Sequence, residues 1–342
     1  MNNFGICYRG SKSRIAADLI AHLPSGGTFY DLFAGGCAVT HAAMLSGKYR
    51  RFVANDITGT PGLFKDAING KFRDERRWIS REDFFRLKDS EPYVRCVWSF
   101  GANGKDYCYA QTIEPYKRAC HYAIVLDDFR PLAELCPEVV EAVRTALNGV
   151  WDKTRRRLIF GSAVVNWLKR NGTDEMLANN PLYASCHFKG GKPNATPGKI
   201  QSLERLQSLE SLQRLQSLES LESLERLERL QSLERLESLA AYAADYRDIP
   251  IDTSDNPVVY CDPPYRGVSG YGFEFDFAAF DDWLRARPFP VYISEYTMPE
   301  DFVPIWGATV QQLASAKGGG TAQERLWVHK KWRDEIFTGT LF

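Results

Sequence analysis

The segment Asp262-Pro263-Pro264-Tyr265 combines a carboxylate, two prolines and an aromatic ring directly after an apolar stretch. The prolines stiffen the backbone and remove two N–H donors, which leaves carbonyl oxygens pointing outward. Such a site can accept both hydrogens of an exocyclic amine, at the Asp262 side chain and the Pro263 carbonyl, while Tyr265 stacks on a planar ring. The four residues alone leave a purely structural Pro-Pro turn open as the alternative.

A second candidate site is the segment Asp31-Leu32-Phe33-Ala34-Gly35-Gly36, whose glycines stand where a strand must turn sharply into a helix. Small residues let a ligand approach the backbone there. Asp56 follows the next predicted strand and is placed to accept hydrogen bonds from a ribose diol. The spacing is not that of the Gly-x-Gly-x-x-Gly dinucleotide fingerprint, and an ordinary turn and a helix cap remain the alternatives.

Alternating short apolar runs and helical patterns are expected to position these residues. The pattern predicts helices over residues 11–23 and 38–44 and strands over residues 28–33, 51–54, 257–260, 290–294 and 324–329. The succession of strand, glycine turn, helix, strand and acid is typical of the opening of a doubly wound α/β domain. The predicted fold class is therefore α/β.

The length of 342 residues predicts about two domains. Between Asp56 and Asp262 the sequence changes character, with aromatic residues, Gly-Asn turns and basic clusters. We predict a split α/β domain formed by residues 1–60 and 240–342, an inserted module at residues 61–200, and a repeat insertion at residues 201–239.

The repeat insertion carries 13 leucines, one at every third position from Leu203 to Leu239. An α-helix turns about 100° per residue and would spread them around its surface, whereas a 3₁₀ helix would align them on one stripe. An α-helix, an extended 3₁₀ rod, and disorder or another solenoid all stay open. Because a soluble monomer rarely leaves a long apolar stripe in water, we predict a homodimer through residues 203–239.

The composition and the charge balance argue against several classes of protein. Lys plus Arg and Asp plus Glu both number 43, which argues against a histone-like basic protein but not against a local nucleic-acid-binding patch. No apolar run approaches the roughly 18 residues of a membrane helix, and the amino terminus lacks a signal-peptide pattern. The eight cysteines form no Cys-x-x-Cys pair, so reduced cytoplasmic thiols and no metal site are expected.

Four motifs in a fixed order carry a family resemblance: Tyr8-Arg9-Gly10-Ser11-Lys12, the segment 31–36, Asp56, and Asp262-Pro263-Pro264-Tyr265. The sequence resembles the bacteriophage and prophage members of the Dam-type DNA adenine methyltransferases. The resemblance implies a Rossmann-like methyltransferase fold that uses S-adenosylmethionine to methylate the N6 amine of a flipped-out adenine in double-stranded DNA. It also implies a location in the cytoplasm of a bacterial host cell.

The resemblance assigns roles to individual residues. Tyr8 and Lys12 match amino-terminal cofactor positions, although the family usually has tryptophan where Tyr8 stands. The glycine turn would line the methionine part of the cofactor, and Asp56 would take the ribose. Implied cofactor-binding residues are Tyr8, Lys12, Asp31, Phe33, Ala34, Gly35, Gly36, Asp56 and Asp262. Implied catalytic residues are Asp262, which would sit between cofactor and substrate, with Pro263, Pro264 and Tyr265 at the target base.

The inserted module is then expected to recognise DNA. Residues 98–107 form a turn-rich aromatic loop suited to groove contacts, and scattered basic residues are candidates for phosphate contacts. The predicted DNA-binding residues are Trp98, Asn103, Lys105, Arg155, Arg156, Arg157, Lys169, Arg170 and Lys189, and Lys192 is a further candidate.

Two other functions remain open at this stage. One is an RNA or protein-amide methyltransferase that uses the same site. This alternative is disfavoured because protein-amide enzymes have Asn at the position of Asp262, and an Asp suits adenine. The other is a scaffold protein dominated by the leucine repeat. Cytosine carbon-5 methylation is disfavoured because the chain has no suitable Pro-Cys nucleophile, Cys136-Pro137 having the reverse order. Restriction-modification, defence evasion and replication control are all compatible biological roles.

Overall fold

A computed structural model describes residues 4–6, 8, 10–72, 74–172, 180–182, 238–267, 274–311 and 321–333. Residues 201–237 of the leucine repeat, and the candidate phosphate contacts Lys189 and Lys192, lie outside the described residues. The chain divides into two compact units, one from Met1–Arg73 with Arg226–Phe342 and one from Asp74–Glu225.

The first unit is built on a mixed sheet of seven strands among the described residues. The strands are β1 (Thr28–Asp31), β2 (Arg51–Asn55), β3 (Leu239–Tyr242), β4 (Val258–Cys261), β5 (Val291–Glu295), β6 (Phe302–Gln311) and β7 (Thr321–His329). Their order is β3-β2-β1-β4-β5-β7-β6, in which β7 runs antiparallel to β5 and β6 and the other neighbours are parallel. The strand order changes direction between β1 and β4, which is where open α/β sheets bind ligands.

The helices of the described residues are α1 (Ala16–Ala21), α2 (Ala38–Ser46), α3 (Thr60–Ile68), α4 (Arg81–Leu87), α5 (Pro92–Val97), α6 (Glu114–His121), α7 (Arg130–Leu135), α8 (Val140–Leu147), α9 (Lys153–Asn171) and α10 (Phe277–Arg285). Short 3₁₀ turns cover Phe100–Ala102, Pro137–Val139, Tyr246–Asp248, Thr253–Asp255 and Lys330–Trp332, and Tyr122–Leu126 forms a π-helical turn.

The centre of the sheet is buried on both faces. Every residue of β1, β4 and β5 is buried, as expected for central strands covered on both sides. Helix α10 begins at Asp276, whose side chain accepts the backbone N–H of Ala279. It then packs Phe280 and Leu284, four residues apart on one face, into the apolar layer that also contains Val259 and Ile293.

The described fold confirms the predicted α/β class and all five predicted strand regions, but it adds strands β3 and β6. Leu239, the last leucine of the predicted repeat, belongs to β3 and pairs with Phe52 of β2. The first unit also extends beyond the predicted boundary at residue 60 to residue 73. The physical reason is helix α3, which buries the apolar residues Leu63, Phe64 and Ile68.

The second unit is helical in its described residues, with an apolar core of its own. Helix α9 places Phe160, Val164 and Leu168 in this core, at intervals of four residues on one face. Helix α8 contributes Val143 and Leu147 to the same cluster. This core is the basis on which residues 74–172 form a compact unit.

Candidate active site

Four acidic residues lie at the carboxyl ends of neighbouring strands. Asp31 and Glu295 end β1 and β5, while Asp56 and Asp262 follow β2 and β4 by one residue. These four strands run parallel in the sheet. Their carboxyl ends therefore meet at one edge, which brings three acids predicted from the sequence, and Glu295 in addition, to the same region.

The glycine turn after β1 packs closely against the amino-terminal segment. Gly35 has a φ of +47°, and a Cβ atom there would lie 2.8 Å from the ring of Tyr8. A Cβ atom on Gly36 would lie 2.5 Å from the Ile6 carbonyl oxygen, and the Ile6 N–H donates to the Gly36 carbonyl at 2.8 Å. Both glycines are therefore required by close packing of the chain as well as by the turn.

Asp56 holds the same turn from the other side. Its Oδ2 accepts the backbone N–H of Gly35 at 2.9 Å, and its Oδ1 accepts the backbone N–H of Thr58 at 2.9 Å and the Thr58 hydroxyl. Both oxygens thus have protein partners. Since each carboxylate oxygen offers about two lone-pair sites, Oδ1 is already saturated by Thr58 and Oδ2 keeps capacity for one further donor.

Asp31 is a buried carboxyl group with one unpartnered oxygen. Its Oδ2 accepts the hydroxyl of Thr40 at 2.7 Å, whereas Oδ1 has no hydrogen-bond partner among the described residues. Burial raises the pKa of Asp31 to about 7, the Thr40 hydrogen bond opposes this rise, and the negative charges of Asp262 and Asp56 add to it. An ionised Asp31 would be stabilised by a positively charged ligand at Oδ1.

Lys12 connects the amino-terminal motif to the Asp-Pro-Pro-Tyr segment. Its Nζ lies 3.0 Å from Asp262 Oδ1 and 3.8 Å from Glu324 Oε2. The Tyr265 hydroxyl donates to Glu324 Oε1. Burial raises the pKa of Asp262 and that of Glu324, and the positive charge of Lys12 opposes both shifts. Two motifs far apart in sequence thus form one buried network.

The ring of Tyr265 is covered in this network. The residue is 5% exposed, Lys12 Nζ lies 4.6 Å from its ring centroid, and the Tyr296 ring packs against it edge to face at 4.5 Å. A base can stack on Tyr265 only after a neighbouring side chain moves. Phe33 does not contact the Tyr265 ring; its own ring packs in an aromatic cluster that includes Tyr246 and Phe280.

Sequence reasoning missed Glu295 and Glu324. Burial raises the pKa of Glu295 to about 7, while the backbone N–H groups of Arg266 and Tyr296, which it accepts at 3.0 and 2.7 Å, oppose the shift. The rule that selected Asp56 and Asp262, an acid directly after a predicted strand, would also have found Glu295. Glu324 had only a weak signal, as an acid leading into the apolar part of β7.

Two residues predicted to contact DNA, Trp98 and Arg156, are buried and make structural contacts inside the second unit. Trp98 is 2% exposed and packs its ring against Trp78 and His121. Arg156 is also buried. Its guanidinium donates to the carbonyls of Ala123, Ile124 and Val150 and pairs with Asp127, so four of its five N–H donors are used inside the unit.

The remaining predicted DNA contacts of the second unit differ in exposure. Asn103 shapes its loop, because its Oδ1 accepts the backbone N–H groups of Lys105 and Asp106. Arg157 is half-buried. The fully exposed members of the predicted set are Lys105, Arg155, Lys169 and Arg170.

Comparison with known proteins bears on the amino-terminal part of the first unit and on the first residues of the second unit. The seven-stranded mixed α/β sheet fits a methyltransferase fold, and within the described part of the chain no helix is long and apolar enough to cross a membrane. No curated protein matches the chain. Residues 8–88, which contain Lys12, the glycine turn and Asp56, match the family model described as D12 class N6 adenine-specific DNA methyltransferase. This match confirms the resemblance of the chain to the Dam-type adenine methyltransferase family.

Proposed function

We propose that the protein transfers a methyl group from S-adenosylmethionine to the N6 amine of an adenine flipped out of double-stranded DNA. One observation carries this proposal: the amino-terminal motif and the Asp-Pro-Pro-Tyr segment meet in one buried cluster, with Lys12 Nζ 3.0 Å from Asp262 Oδ1. The family match over residues 8–88 supports the same chemistry.

The acidic edge of the sheet fits a positively charged cofactor. S-adenosylmethionine carries a sulfonium and an amino group, and Asp31 Oδ1 is a buried acceptor without a partner among the described residues. Asp56 Oδ2 keeps acceptor capacity for one ribose hydroxyl. The residues that would hold the cofactor are Tyr8, Lys12, Asp31, Phe33, Ala34, Gly35, Gly36, Asp56 and Asp262. When bound, the cofactor supplies an electrophilic methyl group.

Asp262 and Pro263 would prepare the adenine amine for attack. The lone pair of this amine is delocalised into the purine ring, which makes it a poor nucleophile. Acceptors at the Asp262 side chain and the Pro263 carbonyl would favour the pyramidal amine, and burial, which raises the pKa of Asp262, strengthens it as an acceptor. Positioning and electrostatics would thus supply most of the rate enhancement.

The target base must leave the duplex before it can reach this site. Tyr265 is the proposed stacking surface, and its buried ring implies that base entry displaces Lys12 or Tyr296. Lys105, Arg155, Lys169 and Arg170 are exposed cations that we assign to phosphate contacts. By the resemblance to phage enzymes, we place the protein in the cytoplasm of a bacterial host. The proposed homodimer rests instead on the leucine repeat, and it would form through residues 203–237 because Leu239 is buried in β3.

The experiment that tests this function is methylation-sensitive sequencing of DNA from bacteria that lack their own adenine methylation and express the protein. We expect N6-methyladenine at a defined sequence motif, and none in cells that express Asp262→Ala at the same level. Unmodified DNA together with methylated RNA or protein amides would assign the site to a different substrate.

A further inference from the structure

Lys12 lies between two buried carboxylates, of which Asp262 is the proposed acceptor for the adenine amine and Glu324 has no assigned role. Its Nζ is 3.0 Å from Asp262 Oδ1 and 3.8 Å from Glu324 Oε2. Side-chain exposure is 12% for Lys12, 17% for Asp262 and 3% for Glu324. The ammonium group is therefore largely withdrawn from water, and both acids stabilise its charge.

In the proposed reaction, the adenine amine and Lys12 compete for the carboxylate of Asp262. The adenine amine must donate a hydrogen bond to this carboxylate, but in the structure Lys12 approaches its Oδ1. If Lys12 withdrew from Asp262 without approaching another carboxylate, its largely buried ammonium would lose its nearest negative charge, which is unfavourable. The only other carboxylate within 4.0 Å of Nζ among the described residues is that of Glu324.

We propose that Glu324 is a positioning residue that receives the Lys12 ammonium when the adenine amine binds Asp262. This inference rests on the proposed function. An N⁺–H···O⁻ hydrogen bond is typically about 2.8 Å long, so Nζ must move by about 1 Å to exchange Asp262 for Glu324. Glu324 is suited to the exchange because it is a buried residue of strand β7 that already accepts the Tyr265 hydroxyl in the same network.

The Glu324 carboxylate also links the movement of Lys12 to Tyr265, the proposed stacking residue. The Tyr265 hydroxyl donates to Glu324 Oε1, and Lys12 Nζ lies over the Tyr265 ring. Movement of Lys12 toward Glu324 Oε2 thus changes the cover of the ring on which the base would stack. One small displacement would free the acceptor oxygen and rearrange the stacking surface together.

Two substitutions separate charge from shape. Glu324→Gln keeps the shape and removes the charge, whereas Glu324→Asp keeps the charge and shortens the side chain. We expect Glu324→Gln to lower the single-turnover methylation rate by about tenfold or more, the effect of weakening a charge-assisted hydrogen bond. Glu324→Asp should lose less, and both variants should bind S-adenosylmethionine within about threefold of the wild type. A packing role predicts the reverse order, with Gln the milder change.

A binding measurement tests the same step without methyl transfer. Duplexes that carry either adenine or unsubstituted purine at the target position differ only in the amine. In the absence of cofactor, the wild type should bind the adenine duplex more tightly, and Glu324→Gln should reduce this preference. Equal preference and equal rate in the variant and the wild type would overturn the role of Glu324.

A double-mutant cycle keeps the proposal testable if one variant folds poorly. If Glu324 acts by receiving Lys12, then Glu324→Gln should cause no further loss of rate in a Lys12→Gln background. Independent, multiplicative losses would overturn the exchange. A wild-type protein that does not methylate adenine at all would instead refute the proposed function, so the two failures are distinguishable.

Discussion

The raised pKa of Asp31 predicts how the free energy of unfolding depends on pH. Its pKa is raised from 3.8 to about 7 by burial in the folded protein. A raised pKa means that the folded state binds the proton more tightly than the unfolded state does. The contribution of Asp31 to the free energy of unfolding is therefore complete below pH 3.8 and is lost as the pH rises from 3.8 to about 7. At about 1.4 kcal/mol per pH unit, ionising Asp31 costs up to about 4 kcal/mol.

Asp31→Asn isolates this contribution because the amide is neutral and nearly isosteric, and its oxygen can still accept the Thr40 hydroxyl. Urea unfolding without cofactor should be measured at several pH values between about 4.5 and 8, an interval that lies above the ordinary pKa of 3.8 and includes the raised pKa of about 7. The free energy of unfolding of the wild type should fall relative to that of Asp31→Asn up to about pH 7 and then level off. Parallel pH profiles would refute the reasoning. Asp31→Asn should also weaken S-adenosylmethionine binding, since it removes the charge that a cationic ligand would neutralise.

Four further predictions concern separate parts of the chain. Asp262→Ala should lower the single-turnover rate by about 10²–10⁴-fold, and a loss below about tenfold would contradict its role. Asp56→Ala should raise the dissociation constant for S-adenosylmethionine by about tenfold or more in calorimetry, because charge-assisted hydrogen bonds to the ribose and to Gly35 are lost; unchanged affinity would count against the assignment. Arg156→Met should destabilise the protein by about 2–4 kcal/mol because it strands buried carbonyls, whereas the matched exposed variant Arg155→Met should change stability by less than about 0.5 kcal/mol. Deleting residues 203–237, which spares β3, should convert a dimer to a monomer in light scattering while cofactor binding persists; a monomeric mass for the intact chain would rule out the dimer.

Local sequence predicted the centre of the fold well because the central strands are buried on both faces. Residues 28–31, 258–261 and 291–295 are short, apolar and bounded by Gly, Pro or acids, which is a strong strand signal. The two missed strands lacked this signal. Strand β3 begins at Leu239 inside the triplet pattern, and β6 contains Pro304 and Gly307, which normally argue against a strand; a register irregularity between Pro304 and Trp306 accommodates the proline.

Site residues were predictable where their chemistry follows from chain position and unpredictable where it follows from packing. Asp31, Asp56 and Asp262 could be placed because parallel strands share a carboxyl edge. The burial of Tyr265 depends on Lys12 and Glu324, which come from distant segments, so no local pattern could reveal it.

The roles of the three adjacent arginines of helix α9, Arg155-Arg156-Arg157, also depend on packing that the local sequence does not reveal. Successive helical residues point about 100° apart, so three adjacent arginines cannot share one face. The periodicity spreads the three side chains over about 200° of the helix surface, and in the structure Arg156 turns toward the core while Arg155 is exposed. Which of them is buried depends on the position of the carbonyls of Ala123 and Ile124.

Mass spectrometry of nucleosides tests the central claim most directly. Duplex DNA should be incubated with the purified full chain and S-adenosylmethionine carrying an isotopically labelled methyl group, then digested to nucleosides. We predict labelled N6-methyldeoxyadenosine with the wild type and its loss with Asp262→Ala. Label in cytosine, or no label in DNA from a folded protein that binds the cofactor, would contradict adenine-N6 methylation at this site.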